Sequence, residues 1–380
     1  MSWVECQLGD ILTLKRGYDL PHSARKSGSV PVVSSSGITG YHNTAKVEGP
    51  AVVTGRYGTL GEVYYVEGEC WPLNTSLYVQ DFKGNRPKFV YYFLQSVLKG
   101  MQSDKAAVPG VNRNDLHARK VKCTKDHNVQ VAVEKIISPY DDLIENNRRR
   151  IKLLEESARL LYQAWFVHLR FPGHEQVKIV DGLPEGWEKL TVAECCHKPT
   201  YGFTASASKA PIGPQFLRIT DIVPTSINWA GVPYCDADEA TAKKYQLKEG
   251  DIVVARTGAT VGFAKRMPEL NVPVVYASYL VKFSPNPSII DDLLLGVFME
   301  SEQYKEFVRG NAGGAAQPNA NAKVLGSAKL LIPTKLLQVE FRASIAPMIE
   351  QKFLLEKQNS ALEKARDLLL PKLMSGELAV

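Results

Sequence analysis

The feature that most constrains this 380-residue chain is an internal repeat. Residues 130–166 match residues 338–374 at a constant offset and without a gap. The weaker matches lie outside these segments and pair residues 53–61 with 254–262, 76–79 with 278–281, and 112–114 with 319–321. Because the matches keep the same order along the chain, chance similarity between two Leu- and Glu-rich helices does not explain them. The order is variable domain, similar helix, variable domain, similar helix.

The two strongly matching segments have the apolar spacing of long helices. Apolar residues recur at steps of three and four, and the candidate packing positions are Ile144, Ile151, Leu154, Leu161 and Trp165 in the first segment and Leu355, Leu362 and Leu369 in the second. Ser138 followed by Pro139 is typical of a helix start, which predicts a shorter helix from about residue 128 and a kink at Pro139. The two apolar stripes can pack in parallel or antiparallel, and their spacing leaves both open.

The two variable segments have the composition of mixed structure. Short β-branched and aromatic runs bounded by glycine turns predict strands, and residues 87–99 and 291–309 have helical patterns. The sequence therefore predicts an α+β fold with a pseudo-twofold internal repeat. The expected domains are residues 1–127, a central long helix and linker at 128–182, residues 183–335, and a C-terminal long helix at 336–380.

Composition excludes several classes of protein. Hydrophobic residues make up 44% and charged residues 23%, which is globular, and no apolar run approaches the ~18 residues of a membrane span. The N-terminus lacks a basic stretch followed by an apolar core, and the six cysteines form no CxxC pair, so reduced thiols in the cytoplasm are expected. The net charge of +6 permits nucleic-acid binding without requiring it.

Motifs for catalysis are missing from the sequence. It contains no GxxxxGK[ST] loop, no GxGxxG and no HExxH. Cys195, Cys196 and His197 are adjacent, but neighbouring cysteines point apart in a strand or a helix and no second ligand pair follows. We expect no catalytic residues, no metal and no cofactor in this chain.

Two glycine-bounded loops carry candidate DNA-binding residues. Arg can bond a guanine edge or a phosphate, and Tyr and Thr can add shorter contacts, so the candidates are Arg56, Tyr57 and Thr59 in the first half and Arg256, Thr257 and Thr260 in the second. The alternative is a tight hairpin with glycines at positive φ and a solvated Arg.

Two Asn-containing loops are a second candidate surface. Asn and Gln suit adenine edges, and Arg or Lys can contact phosphates, so the candidates are Asn112, Arg113, Asn114, Lys120, Gln317, Asn319 and Asn321. Asn and Gln are also ordinary turn residues, which is the alternative interpretation.

This layout resembles the specificity subunit of type I restriction–modification systems over essentially the whole chain. The resemblance rests on two unlike domains each followed by a similar helix, on residues 160–166 and 368–378, and on residues 183–187 and 250–258. The first domain departs from the family because it lacks a clear Gly-Asp-Ile/Leu run before Arg56.

The resemblance implies both a fold and a function. The two long helices would be antiparallel and form a coiled-coil spacer, and each domain would be a target-recognition domain for one half of a bipartite, asymmetric site on double-stranded DNA. Two adenine methyltransferase subunits and, in the full complex, restriction subunits would be the partners. S-adenosylmethionine, ATP and Mg would bind those partners, and this chain would not be an enzyme.

Two other classes of function remain open from the residues alone. One is a duplicated coiled-coil adaptor that binds proteins and no nucleic acid. The other is a single-chain enzyme with an unrecognised active site.

Overall fold

The computed structural model describes residues 3–101, 110–224, 226–314 and 317–380. Val108, Pro109 and Ala316 of the predicted Asn-containing loops lie outside the described residues. The chain divides into two compact units: unit 1 consists of Met1–Glu145 with Ala361–Val380, and unit 2 of Asn146–Ser360. The domain boundaries expected from the sequence stay a prediction.

Unit 1 is built from three small sheets and helices. Its strands are β1 (Trp3–Gln7), β2 (Thr13–Arg16), β3 (Val30–Ser34), β4 (Gly37–His42), β5 (Ala51–Gly55), β6 (Val63–Val66), β7 (Trp71–Pro72), β8 (Ser76–Asp81) and β9 (Lys120–Thr124). The largest sheet has the order β2-β8-β5-β6, a second has the order β4-β3-β7, and β1 pairs with β9. Helices α1 (Pro87–Leu98) and α2 (Arg113–Ala118) precede β9, and the long helix α3 (His127–Tyr162) follows it.

Unit 2 has more strands, arranged in small sheets. They are β10 (Ile179–Val180), β11 (Leu183–Pro184), β12 (Glu188–Thr191), β13 (Thr200–Tyr201), β14 (Gln215–Leu217), β15 (Ile252–Ala255), β16 (Ala264–Arg266), β17 (Val274–Tyr276), β18 (Leu280–Phe283) and β19 (Lys329–Ile332). Its helices are α4 (Ile219–Ile222), α5 (Glu239–Tyr245), α6 (Asp292–Met299), α7 (Glu302–Asn311), α8 (Ala322–Gly326) and the long α9 (Lys335–Ser375).

The same topology recurs in the two units. The antiparallel sheet β2-β8-β5-β6 corresponds to β13-β18-β15-β16, and the antiparallel pair β1-β9 to β12-β19. The parallel pair β3-β7 corresponds to β14-β17. We call residues 3–124 module 1 and residues 187–333 module 2. The predicted α+β fold with an internal repeat is therefore confirmed.

The long helix α3 differs from the prediction at its start. It runs without interruption from His127 to Tyr162, with Pro139 inside it, so the helix start expected at Ser138 is wrong. Val133 and Ile137, in the turn before the proline, are fully buried in the core of unit 1. Burial of these two residues therefore stabilises the helix just before Pro139. This offsets the loss of the one backbone hydrogen bond that a proline cannot donate.

The helical patch expected at residues 291–309 is two helices. Helix α6 ends at Met299 and α7 begins at Glu302. The Ser301 side chain caps α7 by accepting a hydrogen bond from the Tyr304 N–H. A serine that binds a free backbone N–H at a helix start favours such a break.

The long helices pair in antiparallel fashion within each unit. In unit 2, the Asn147 amide donates to Asn359 at 2.9 Å, and Lys352 lies 2.6 Å from Glu155. In unit 1, Arg366 donates to Asp141 at 2.8 Å. Because the partner numbers fall along α9 as they rise along α3, the helices run in opposite directions. Of the predicted packing positions, Ile144, Ile151, Trp165 and Leu355 are buried, and the others are half-buried.

Each core includes the far end of the other module's long helix. The core of unit 1 contains Leu370, Leu373 and Met374 from the end of α9. In unit 2, the Trp187 ring lies 5.8 Å from that of Phe166, just past the end of α3. Buried aromatic pairs of this kind contribute about 0.5–1.5 kcal/mol beyond area burial.

Candidate nucleic-acid interface

The first predicted loop connects β5 to β6 in unit 1. The Arg56 N–H donates to the Thr75 carbonyl at 2.9 Å, and the Arg56 carbonyl accepts from the Val111 N–H at 2.9 Å. Gly58 and Gly61 have φ of +81° and +83°, so the hairpin has the positive-φ glycines that its pattern indicates. The loop backbone is therefore fixed on both sides, and its side chains project from a defined position.

This loop borders an open pocket of about 380 Å³. The lining residues combine three guanidinium groups with two amides and an aromatic ring, and they are Arg16, Arg56, Tyr57, Leu77, Gly110, Val111, Asn112, Arg113 and Asn114. The Arg56 guanidinium lies over the Tyr57 ring, 4.6 Å from its centroid. The structure therefore brings five of the predicted residues of unit 1 together, whereas Thr59 and Lys120 do not line this pocket.

The corresponding loop of unit 2 connects β15 to β16. The Arg256 N–H donates to the Tyr279 carbonyl at 3.0 Å, and the Arg256 carbonyl accepts from the Ala320 N–H at 2.8 Å. The guanidinium lies 5.1 Å from the ring centroid of Tyr201, and its buried Nε has no hydrogen-bond partner among the described residues. Thr257 forms an isolated bridge with Asn319, so these predicted residues are neighbours.

The hydrogen bonds show that Arg56 and Arg256 occupy equivalent positions. Each follows a central strand, donates to the residue before the neighbouring strand and accepts from the residue before a helix N-cap. The positive-φ glycines Gly58 and Gly61 of the first loop correspond to Gly258 and Gly262 of the second. The second loop therefore has one more residue between its two glycines.

All three weaker sequence matches are out of register with the structure. The match of residues 53–61 with 254–262 places Arg56 opposite Thr257, one residue away from its structural equivalent Arg256. Gly55 pairs with Ser76, and the equivalent Ala255 pairs with Leu280, so Ser76 corresponds to Leu280 and not to Ser278. Likewise, Asn112 caps α2 and Asn321 caps α8, so Asn112 corresponds to Asn321 and not to Asn319. The register of the last two matches is therefore corrected by two residues.

The two Asn caps give these side chains a structural role. Asn112 accepts from the Asn114 N–H at 3.0 Å, and Asn321 accepts from the Val324 N–H at 2.9 Å. An adenine edge takes both the oxygen and the nitrogen of an Asn amide. Capping uses the oxygen and orients the amide, so direct base contact by these two residues stays a prediction, as it does for Thr260 and Gln317.

Sequence reasoning missed one position in each unit. Arg16 ends β2 and lines the pocket beside Arg56, and Tyr201 ends β13 and stacks on Arg256. Gly17 and Gly202 follow them, and each N–H donates to the equivalent carbonyl, of Ser76 and of Leu280. The repeated signal was a glycine followed by an aromatic residue, Tyr18 or Phe203, which marks the two positions as equivalent.

One histidine near the unit 1 pocket has a shifted pKa. His117 lies in α2, and its Nε2 accepts from the Leu14 N–H at 2.8 Å. Burial lowers the pKa of His117, and the charges of Arg113 and Lys83 lower it further. The neutral ring therefore holds β2 against α2, next to the pocket.

The thiols of Cys195 and Cys196 have pKa values above the ordinary range. Burial raises the pKa of Cys195 and that of Cys196 to about 12, which keeps the thiols protonated. Within the described residues, no group of three or more His, Cys, Asp or Glu side chains could hold a metal ion. In the described part of the chain, no helix has the length and apolar character needed to cross a membrane.

Comparisons with known proteins agree on one family. Residues 1–156 match the model of the type I restriction modification DNA specificity domain. The MjaIX specificity subunit of a type I restriction enzyme from Methanocaldococcus jannaschii is 25% identical over 66% of this chain and 59% of its own length. The HindI specificity subunit from Haemophilus influenzae is 22% identical over 67% of this chain and 68% of its own length. The matched region thus spans less than two thirds of the M. jannaschii protein.

A solved structure supports the fold. The type I restriction–modification S subunit from M. genitalium superposes with a TM-score of 0.56 over 98% of this chain and 96% of that one, at 15% identity. That similarity concerns the arrangement of helices and strands. The family model and the two relatives show that this chain is similar in sequence to type I restriction–modification specificity subunits.

Proposed function

We propose that this chain is the DNA sequence-specificity subunit of a type I restriction–modification complex. Each module recognises one half of a bipartite, asymmetric site, and the paired long helices set the distance between the halves. The observation that carries this proposal is the equivalent placement of Arg56 and Arg256, each stacked on a tyrosine and each held by backbone hydrogen bonds on both sides.

The residues at these two positions suit a DNA duplex. An arginine can form two hydrogen bonds to the O6 and N7 of guanine or can contact a phosphate. Stacking on Tyr57 or Tyr201 restricts the guanidinium before DNA arrives, which lowers the ordering cost of binding. Because the neighbouring side chains differ between the two loops, the two half-sites differ as well.

The proposed partners are two DNA adenine methyltransferase subunits and, in the full complex, restriction subunits. S-adenosylmethionine, ATP and Mg bind those partners, and this chain contributes recognition without catalysis in the cytoplasm, where the DNA is. The pseudo-twofold repeat supports two equivalent docking sites, since each module meets the start of one long helix and the end of the other.

The experiment that tests DNA recognition is a salt titration of binding to a DNA library. The full chain, assembled with its methyltransferase, should lose affinity as salt rises, with a slope of about 0.9 per phosphate contact. The variant Arg16→Ala/Arg56→Ala/Arg256→Ala should bind more weakly and select no consensus.

The matched control removes the same charge elsewhere. Arg148→Ala/Arg149→Ala/Arg150→Ala takes three exposed positive charges from the middle of α3 and should keep the selected consensus. If the chain binds no DNA at any salt concentration, the adaptor interpretation replaces the proposal. Methyltransferase copies can be counted by native mass, where two per chain is expected.

A further inference from the structure

Each module contacts its long helix through a buried glutamine, and the two glutamines occupy equivalent positions in the repeat. The Gln130 oxygen accepts from the Arg86 N–H at 3.0 Å, and its nitrogen donates to the Thr124 carbonyl at 3.0 Å. In unit 2, the Gln338 oxygen accepts from the Asp291 N–H at 2.8 Å, and its nitrogen donates to the Pro333 carbonyl at 3.0 Å. Arg86 and Asp291 are the N-caps of α1 and α6, so the two units share this contact.

One helical turn farther along, the charges are reversed. In unit 1, the module supplies the cation and the long helix the anion: Arg86 donates to both Glu134 oxygens, at 2.9 and 2.8 Å. In unit 2, the module supplies the anions and the long helix the cation: Arg342 donates to Asp291 at 2.8 Å and to Asp292 at 2.7 Å. Glu134 and Arg342 each lie four residues after their glutamine, so they occupy equivalent positions.

Both arrangements place a carboxylate at the N-terminus of the module's helix. The Glu134 carboxylate accepts from the Phe89 N–H of α1 at 3.1 Å. The Asp291 carboxylate accepts from the Leu293 and Leu294 N–H groups of α6 at 2.9 and 3.3 Å. Free N–H groups and the helix dipole favour a negative charge there. The long helix supplies this carboxylate in unit 1, and the module supplies it in unit 2.

We propose that residues 134 and 342 determine which module each long helix accepts. Module 2 placed on α3 would bring Asp291 and Asp292 against Glu134. Module 1 placed on α9 would bring Arg86 against Arg342 and leave the N-terminus of α1 without a carboxylate. The glutamines, and Ile137 and Ile345 seven residues after them, are the same in both helices and cannot separate the correct pairing from the exchanged one. The charge at residues 134 and 342 does so, together with the difference in size between the buried Val133 and Phe341.

This pairing rule is independent of what the modules bind, and it can be tested in the full chain without DNA. The variant Arg86→Asp imitates the module 2 charge in front of α3. Hydrogen exchange of the α1 amides should become faster, by about tenfold or more, because the introduced carboxylate then faces the buried Glu134 carboxylate. Amides of α6 in unit 2 should keep their protection.

The compensating variant decides between repulsion and simple damage. Arg86→Asp/Glu134→Arg recreates the charge arrangement of unit 2, and protection of α1 should return toward that of the unchanged chain. Arg86→Ala, which removes the pair without adding repulsion, should fall between the two. If the double variant exchanges as fast as Arg86→Asp alone, the proposal is wrong.

A full-length chimera tests the exchange directly. In this chain, residues 187–333 replace residues 3–124 in front of α3, so that module 2 occurs twice. Adding Glu134→Arg should raise the unfolding midpoint by about 5 °C. Equal midpoints for chimeras with and without the substitution would overturn the proposal. Where neither chimera folds, hydrogen exchange of the Arg86 and Glu134 variants in the native chain decides between the two outcomes.

Discussion

At the scale of single residues, the proposed DNA recognition uses side chains whose backbones are fixed on both sides. Arg56 and Arg256 lie in loops of different sequence. In each unit, however, the N–H and the carbonyl of the arginine are hydrogen-bonded to equivalent neighbouring segments. The backbone hydrogen bonds therefore fix where each guanidinium emerges. The surrounding side chains remain free to differ, which is what the two unlike half-sites of the proposed function would require.

The first residue-level prediction concerns Arg256. Arg256→Ala should relax one base position of the half-site recognised by module 2, at a cost of about 1–3 kcal/mol if the arginine contacts a guanine. Arg256→Lys should lose the same discrimination but keep the salt slope, because a lysine cannot form the paired bonds. The selected sequence of bound DNA gives the answer.

The other half-site is the internal control for this substitution. Its preference should not change in Arg256→Ala, and the reverse should hold for Arg56→Ala. A loss of affinity that is uniform over all sequences, with selectivity intact, would assign Arg256 to a phosphate instead.

The second residue-level prediction is a pH dependence at His117. Burial keeps its pKa below the ordinary value of about 6.5, so between the two values the unfolded chain binds a proton that the folded chain does not. The free energy of unfolding of unit 1 should therefore fall as the pH falls below about 6.5. A protonated ring also cannot accept from the Leu14 N–H.

His117→Gln keeps a hydrogen-bond acceptor and removes the titration. Its unfolding free energy should depend less on pH between about 5 and 7 than that of the unchanged chain. His22→Gln, at an exposed histidine, should leave the dependence as it was. Identical pH profiles for His117→Gln and the unchanged chain would show that another group is responsible.

At the scale of elements, the antiparallel helices are held by polar as well as apolar contacts. Asn147 and Asn359 are buried against each other, and Lys352 is buried beside Glu155. Burial lowers the pKa of Lys352, but the charges of Glu300 and Glu155 outweigh it and raise that pKa above its usual value. A buried polar pair favours one helix register over others, because any shift leaves its groups without partners.

The Asn pair supplies the element-level prediction. Asn147→Leu should destabilise unit 2 by about 1–3 kcal/mol, because it removes the hydrogen bond that the Asn147 amide donates to the buried Asn359 oxygen. The double variant Asn147→Leu/Asn359→Leu should recover most of that loss. Denaturant unfolding of the single variants, the double variant and the unchanged chain measures it, and a double variant no more stable than the single one would contradict this account.

The register errors in the sequence comparison arose in the strands and loops of the modules. A shift of two residues along a strand keeps every side chain on the same face, so residues 76–79 match 278–281 as well as they match the true partner. Pro139 led to a wrongly predicted helix start for a different reason. The helix continues through it because Val133 and Ile137 are buried, and that burial is a property of the folded core. The internal repeat, the presence of short strands and the α+β class could be read from residue patterns in the sequence, which was sufficient for them.

The candidate site likewise contains residues that the sequence predicted and residues that it did not. Arg56 and Arg256 were found from their glycine-bounded loops, whereas Arg16 was missed. Arg16 reaches the pocket because β2 and β5 both pair with β8, and strand order between distant segments cannot be derived from one sequence. The antiparallel helix pairing came from the family resemblance, because the apolar spacing permitted either direction.

At the scale of the whole molecule, the paired long helices are the proposed ruler between half-sites. Inserting one heptad after Arg150 and another after Glu356 keeps the seam in phase and lengthens both helices by about 10 Å. The gap between the recognised half-sites should then grow by about three base pairs, at roughly 3.4 Å each. Sequencing of methylated sites measures the gap.

A heptad in α3 alone is the control, since it offsets Asn147 from Asn359 or Glu155 from Lys352 and should destabilise the complex. If the paired insertion leaves the gap unchanged, the helices do not set it.

Unit 1 is built from two separate segments of the chain, and this has a consequence for synthesis on the ribosome. Unit 2 is complete once residue 360 has emerged, but unit 1 lacks Leu370, Leu373 and Met374 until these residues have been made as well. The half that is translated first is therefore finished last. A stop codon introduced between residues 361 and 369 would therefore destabilise unit 1, which contains the N-terminal residues, while unit 2 keeps every residue it needs.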